Sequence, residues 1–138
     1  MTAYIGLGSN LGERDKNITR AIKSLSERPG VRVRGTSAVL ETLPLGVEEQ
    51  PLFLNAVVKV ETTLSPRELL DAMLEIERAL GRVRAERWGP RIIDLDLLLY
   101  GDQQVKEPGL TVPHPEIRHR PFVMAGLDEL GATQLYER

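Results

Sequence analysis

Cysteine is absent from the 138-residue chain, which excludes a disulfide framework, a thiolate metal site, a redox dithiol and a cysteine nucleophile. Histidine is nearly absent: His114 and His119 are the only two, too few for a three-histidine zinc centre. Lysine is scarce, with 4 residues against 14 arginines. The cations are therefore mostly planar forks suited to phosphates and carboxylates, although base bias in a genome would give the same ratio. No apolar run approaches the roughly 20 residues of a membrane helix. The opening MTAYIGLGSN also lacks the basic region and long apolar segment of a secretory signal. The expectation is a cytoplasmic protein with no membrane partner. Neither sign of charge dominates, since 18 basic and 20 acidic residues leave a formal charge of -2, which argues against a general nucleic-acid or anionic-membrane binder, so any basic site must be local.

What is present fits one domain spanning residues 1–138, with 41% hydrophobic and 28% charged residues. Ala3 to Leu7 reads as a short buried strand. Ile18, Ala21, Ile22 and Leu25 give helical spacing between Gly12 and Glu27, and Pro29-Gly30 stops the helix. Alternation of Val31 and Val33 with Arg32 and Arg34 predicts a half-exposed strand over 31–40, and residues 41–52 form an aperiodic loop. Phe53 to Thr62 alternates and is rich in Val and Thr, a third strand. Ser65-Pro66 then supplies an N-cap and a first-turn proline for a helix whose stripe is Leu69, Leu70, Met73, Ile76 and Leu80, ended by Gly81. A polar loop covers 82–91, an almost continuous apolar strand covers 92–100, and a last helix is expected at about 121–130. The order β-α-β-β-α-β implies an α+β sandwich of the ferredoxin-like type, with helices packed on a mostly antiparallel sheet.

Gly6-Leu7-Gly8-Ser9-Asn10-Leu11-Gly12 follows a strand and opens a helix, as a dinucleotide fingerprint would. Its spacing is one residue too long and no repeating βαβ pattern follows, so the glycines are read as aids to close packing and a tight turn. The chemistry concentrates at residues 82–96. On an extended strand Asp94 and Asp96 point to one side, about 6.5 to 7 Å apart, while Leu95 and Leu97 point to the other. Such a pair either holds a hard divalent cation together with substrate phosphates or pairs with nearby arginines, and on their own the two acids leave both readings open. Arg82, Arg84, Arg87 and Arg91 precede them within ten residues, offset only by Glu86. Beside an Asp-x-Asp strand this tips the balance toward phosphate binding, since Mg²⁺ and arginine forks are the recurring parts of phosphoryl transfer. The stretch from Arg84 to Trp88 has no apolar period to anchor it, so it is expected to close only over a bound polyanion. Phe53, Phe122 and Trp88 are available to stack on a planar ligand, and Asn55, which shares a strand face with Phe53, could read a heterocycle edge. A non-catalytic nucleotide-binding module would explain the arginines and Trp88 but not two carboxylates projecting beside them. A phosphotransferase yielding ADP is the other rival.

The series YIGLGSNLG, ETLPLG, QPLFLNAV, GRVRAERWGPR, RWGPRIIDLDLL and LTVPHPEIRHRPF, in this order over most of the chain, resembles the 6-hydroxymethyl-7,8-dihydropterin pyrophosphokinases of folate synthesis. The block from Arg87 to Leu98 is the most specific. The resemblance implies transfer of pyrophosphate from ATP to the pterin hydroxymethyl group, with two Mg²⁺ ions and AMP as by-product. It further implies that Asp94 and Asp96 bridge the metals and that Arg82 and Arg91 engage the triphosphate. Arg84 and Arg87 would belong to a mobile catalytic loop, with Trp88 closing over the site. Glu77, Leu97, Thr111, His114 and Arg120 would hold ATP. Thr42, Leu43, Leu45, Phe53, Asn55 and Phe122 would form the pterin slot, with the two Phe rings clamping the bicycle. The implied partners are ATP and the pterin alone, with the chain acting as a monomer.

Overall fold

The first strand, β1 (Thr2–Ser9), carries Ala3, Ile5 and Leu7 on one face and Tyr4, Gly6 and Gly8 on the other, and this alternation divides the molecule into two layers. The computed structural model describes residues 1–42, 52–81 and 92–136. After β1 come α1 (Arg14–Glu27), β2 (Val31–Thr36), β3 (Leu40–Thr42), β4 (Phe53–Thr62), α2 (Pro66–Ala79) and β5 (Asp94–Tyr100). A small hairpin of β6 (Val105–Glu107) and β7 (Leu110–Val112) follows, then a 3-10 turn at Ile117–His119, α3 (Pro121–Glu129) and α4 (Thr133–Tyr136). The main sheet runs β2-β4-β1-β5 with every pair antiparallel, and β3 adds to β4. This is the ferredoxin-like order expected from the sequence, in which β1 and β4 are interior and β5 is an edge.

Both long helices cover one face. Ile18, Ala21 and Leu25 of α1 and Leu69, Met73 and Ile76 of α2 bury against Ile5, Leu7, Val58, Val60, Leu95 and Leu97. Helix α2 starts where Ser65 and Pro66 predict: Ser65 Oγ accepts the Glu68 N–H at 3.1 Å and Glu68 Oε1 accepts the Ser65 N–H at 2.9 Å, a reciprocal cap. On the opposite face α3 packs Val123 and Leu127 against Tyr4, Val57, Leu98 and Leu99. Two successive leucines reach that side because the β1–β5 register shifts, Ile5 facing Leu97 and Tyr4 facing Leu99, which leaves Leu98 as a bulge.

Among the described residues α3 is the one helix of length on this second face. Gly126 sets how closely α3 lies on β4, because a Cβ there would come within 2.5 Å of Val57 Cγ2. Gly126→Ala is therefore expected to destabilise the chain by about 1 to 3 kcal/mol, the usual cost of overpacking. A lowered urea midpoint at unchanged slope would register it.

The predicted strand over 31–40 ends early, at Thr36, where the chain leaves the sheet; Leu40–Thr42 then rejoins β4 as β3, so that Glu41 and Thr42, expected in the aperiodic loop, are paired strand residues. The β6–β7 hairpin was not predicted. Its strands are three residues each, too short to show a period of two.

Candidate active site

Antiparallel register aligns three strands on the face that carries α3. Gly8 of β1 stands opposite Asn55 of β4 on one side and Asp94 of β5 on the other; one rung along, Gly6 stands between Val57 and Asp96. Two strand spacings put the Asn55 and Asp94 backbones roughly 9 to 10 Å apart. Bare glycine backbone forms the floor between them. A Cβ on Gly8 would sit 3.2 Å from Asn55 Oδ1 and 3.5 Å from the Phe53 ring, so even alanine would crowd both side chains. Gly6 and Gly8 thus serve a flat surface within β1 rather than helix packing, while Gly12, at φ 73°, makes the turn into α1.

One wall of this floor carries residues expected for the pterin slot. Asn55 is buried, and its Nδ2 donates to Thr42 Oγ1 at 2.5 Å across the β3–β4 pair. This bond fixes the amide so that Oδ1 faces Gly8. Phe53 is half-buried beside it. Phe122, at the first turn of α3, is half-buried against the Tyr4–Leu98 cluster. Leu43 and Leu45 lie outside the described residues.

The opposite wall is acidic. Asp94 and Asp96 are half-buried on this face, and Leu95 and Leu97 are buried beneath the helices, as the alternation requires. Asp96 is where the C-terminal segment arrives: Arg120 Nη1 stands 3.4 Å from its Oδ2 and His114 Nε2 is 4.0 Å from its Oδ1. The His114 backbone N–H donates to the Leu98 carbonyl at 2.9 Å, tying this segment to the edge of β5. Burial, and then the Arg120 guanidinium, push the His114 imidazole below its ordinary range, opposed in smaller measure by Glu116 and Asp94. It is neutral at neutral pH. Its Nδ1 accepts the Glu116 N–H at 3.1 Å, so the proton sits on Nε2, facing Asp96. The 4.0 Å pair is thus a dipolar contact, not an ion pair.

Arg120 Nε is buried and has no acceptor among the described residues. A buried guanidinium donor left open beside the Asp96 carboxylate is of a kind that a phosphate oxygen could satisfy. Asp94 and Asp96 offer hard oxygen ligands, which suit Mg²⁺. Among the described residues no group of three His, Asp or Glu side chains could hold a metal ion alone.

Three other residues of the expected nucleotide site differ in kind. Thr111 is exposed on β7. Leu97 is 4% exposed within the helix-facing core, so only its main chain is placed to meet a ligand. Glu77 is 2% exposed, and its Oε2 accepts the Leu95 N–H at 2.8 Å. The expectations for Arg82, Arg84, Arg87, Trp88 and Arg91 lie outside the described residues. Sequence reading did not single out Gly6 and Gly8 as site residues. Their alternation opposite Asn55 and the Asp pair emerges only once the register is known.

Known proteins with this sequence pattern agree in kind. The family model described as 7,8-dihydro-6-hydroxymethylpterin-pyrophosphokinase matches residues 4–132. The chain is 47% identical over 128 residues to the 2-amino-4-hydroxy-6-hydroxymethyldihydropteridine pyrophosphokinase of Methylorubrum extorquens, covering 93% of this chain and 81% of that protein. It is 44% identical over 128 residues to the Bacillus subtilis protein of the same name, covering 93% and 77%. Among solved structures, a Plasmodium falciparum HPPK-DHPS aligns with a TM-score of 0.72 at 16% identity, covering 94% of this chain and 39% of that one, which is likeness of fold. With the family model spanning nearly the whole sequence and these relatives matching along most of their own length, the chain belongs to the 7,8-dihydro-6-hydroxymethylpterin-pyrophosphokinase family.

Proposed function

We propose that the α3-bearing face of the sheet is where this chain carries out its family's reaction, with the described residues divided between an acidic nucleotide wall and an aromatic pterin wall. The chain is an ATP-dependent pyrophosphokinase of folate biosynthesis. It moves the β,γ-pyrophosphoryl group of ATP onto the hydroxymethyl oxygen of 6-hydroxymethyl-7,8-dihydropterin and leaves AMP. The glycine row carries the assignment of place: Asn55, Gly8 and Asp94 in one register line put a flat heterocycle floor next to paired carboxylates.

Asp94 and Asp96 would hold two Mg²⁺ ions together with phosphate oxygens, and the chemistry supplied there would be neutralisation of phosphate charge and easier ionisation of the attacking hydroxyl. Arg120 donates its open Nε–H to the nucleotide and, through Nη1, keeps Asp96 oriented. Neutral His114 offers Nε2–H to the same region. Thr111 and the Leu97 main chain bound the nucleotide. Arg82 and Arg91 neutralise the triphosphate, whereas Arg84 and Arg87 act late, with Trp88 covering the pterin, as the family resemblance implies. On the other wall the Phe53 and Phe122 rings stack on the bicycle, and Asn55, Thr42, Leu43 and Leu45 hold its edge. Catalysis on this reading is mainly positioning and electrostatics. The small net charge speaks against a general nucleic-acid partner.

The product identifies the reaction. With ATP, Mg²⁺ and 6-hydroxymethyl-7,8-dihydropterin, AMP and pterin diphosphate should accumulate in equal amounts, and omission of either Mg²⁺ or pterin should stop both. Accumulation of ADP with a pterin monophosphate would overturn the assignment.

A further inference from the structure

Glu77 is the one buried charged residue among those described, at 2% exposure. It follows Ile76 on the core face of α2, and its carboxylate reaches the edge of β5 to accept the Leu95 N–H at 2.8 Å. Leu95 lies between Asp94 and Asp96, on a strand whose sheet partner is β1 alone. Its N–H therefore points away from the sheet, where an edge strand has no ladder acceptor. A donor buried there without a partner is costly, and a carboxylate acceptor makes the stronger, charge-assisted bond. The peptide unit held in this way joins Asp94 to Leu95. Its tilt sets the direction in which the Asp94 side chain leaves the strand and, one residue on, that of Asp96. Helix α2 is itself rigidly seated through Leu69, Met73 and Ile76 and capped at Ser65, so the carboxylate is presented from a fixed support.

We infer that Glu77 is a positioning residue: it clamps the free edge of β5 by accepting the Leu95 N–H, and thereby fixes the relation between the Asp94 and Asp96 carboxylates. The inference rests on reading those two acids as the Mg²⁺ and phosphate pair. Along the same edge, the His114 N–H bond to the Leu98 carbonyl holds the strand a second time, so β5 is pinned on both sides of Asp96.

Glu77→Gln keeps an acceptor at the same reach, and Glu77→Met keeps the volume while removing it. In the full-length ¹⁵N-labelled protein without ligands, Leu95 amide exchange should accelerate in Glu77→Met, with the interior β1 and β4 amides unchanged, and should stay slow in Glu77→Gln. The Mg²⁺ concentration for half-maximal activity should rise about 10-fold in Glu77→Met, as for loss of an outer-shell partner. It should stay near wild type in Glu77→Gln, and the ATP KM at saturating Mg²⁺ should move little in either. Slow Leu95 exchange in Glu77→Met would overturn the inference. So would a raised ATP KM shared equally by both variants, which would mark a charge-bearing nucleotide contact instead. Failure of the underlying reading shows separately: the Mg²⁺ requirement would then be unmoved in Asp94→Asn too. Failure of the Glu77 inference alone leaves Asp94→Asn impaired and Glu77→Met normal.

Discussion

Asp94→Ala, and separately Asp96→Ala, should each lower AMP formation on the order of 10³-fold. That corresponds to about 4 kcal/mol of transition-state stabilisation at 1.36 kcal/mol per tenfold, within what bound metal supplies. Neither alanine can ligate a cation, and no third described His, Asp or Glu completes a group that would hold one in its place. Asp96→Ala should also cost stability. Removing one of two neighbouring carboxylates relieves repulsion, but Asp96 also accepts from Arg120 at 3.4 Å. Its loss leaves that guanidinium, whose Nε is already without a described acceptor, deprived of a partner, at a cost of about 1 to 3 kcal/mol. Initial rates across a Mg²⁺ titration, with thermal melts of both variants, test this. Activity retained by either variant at saturating Mg²⁺ would remove the metal assignment.

Phe122→Ala should weaken pterin binding by about 30-fold, roughly 2 kcal/mol for a lost ring contact plus its buried area, and leave ATP binding nearly unchanged. The residue suits such a test because it stands at the first turn of α3 on the margin of its apolar cluster, not in the centre. Val123 and Leu127 keep the helix seated, so the chain should stay folded. Separate calorimetric titrations with the pterin and with a non-hydrolysable ATP analogue give the comparison. Equal losses for the two ligands would mean that Phe122 is simply part of the core.

Much of this fold could be read from the sequence because local and global preferences agree. Ser65, Pro66 and the stripe through Ile76 specify one helix with one buried face, and the structure builds it there. Asp94 and Asp96 were legible as a same-face pair, since strand alternation requires no knowledge of neighbours. What lay beyond reach depends on register or contact at a distance. Gly8 becomes a floor only when Asn55 and Asp94 are known to flank it. Arg120 and His114 meet Asp96 across more than a dozen intervening residues, through a hairpin whose strands are too short to signal themselves. Glu77 did leave a trace. It falls four residues after Met73, on the buried stripe of α2, where an unpaired charge would be untenable.

The edge position of β5 has a further consequence, for solubility. From Ile92 to Tyr100 the sequence reads IIDLDLLLY, in which Asp94 and Asp96 are the only charges. Without them it would be a long, apolar, β-prone stretch at the rim of a sheet, the kind of segment that recruits copies of itself while the chain is still folding. Two acids on alternate positions interrupt it as gatekeepers do. Replacing both acids with apolar residues is therefore expected to promote aggregation during refolding, apart from any loss of activity.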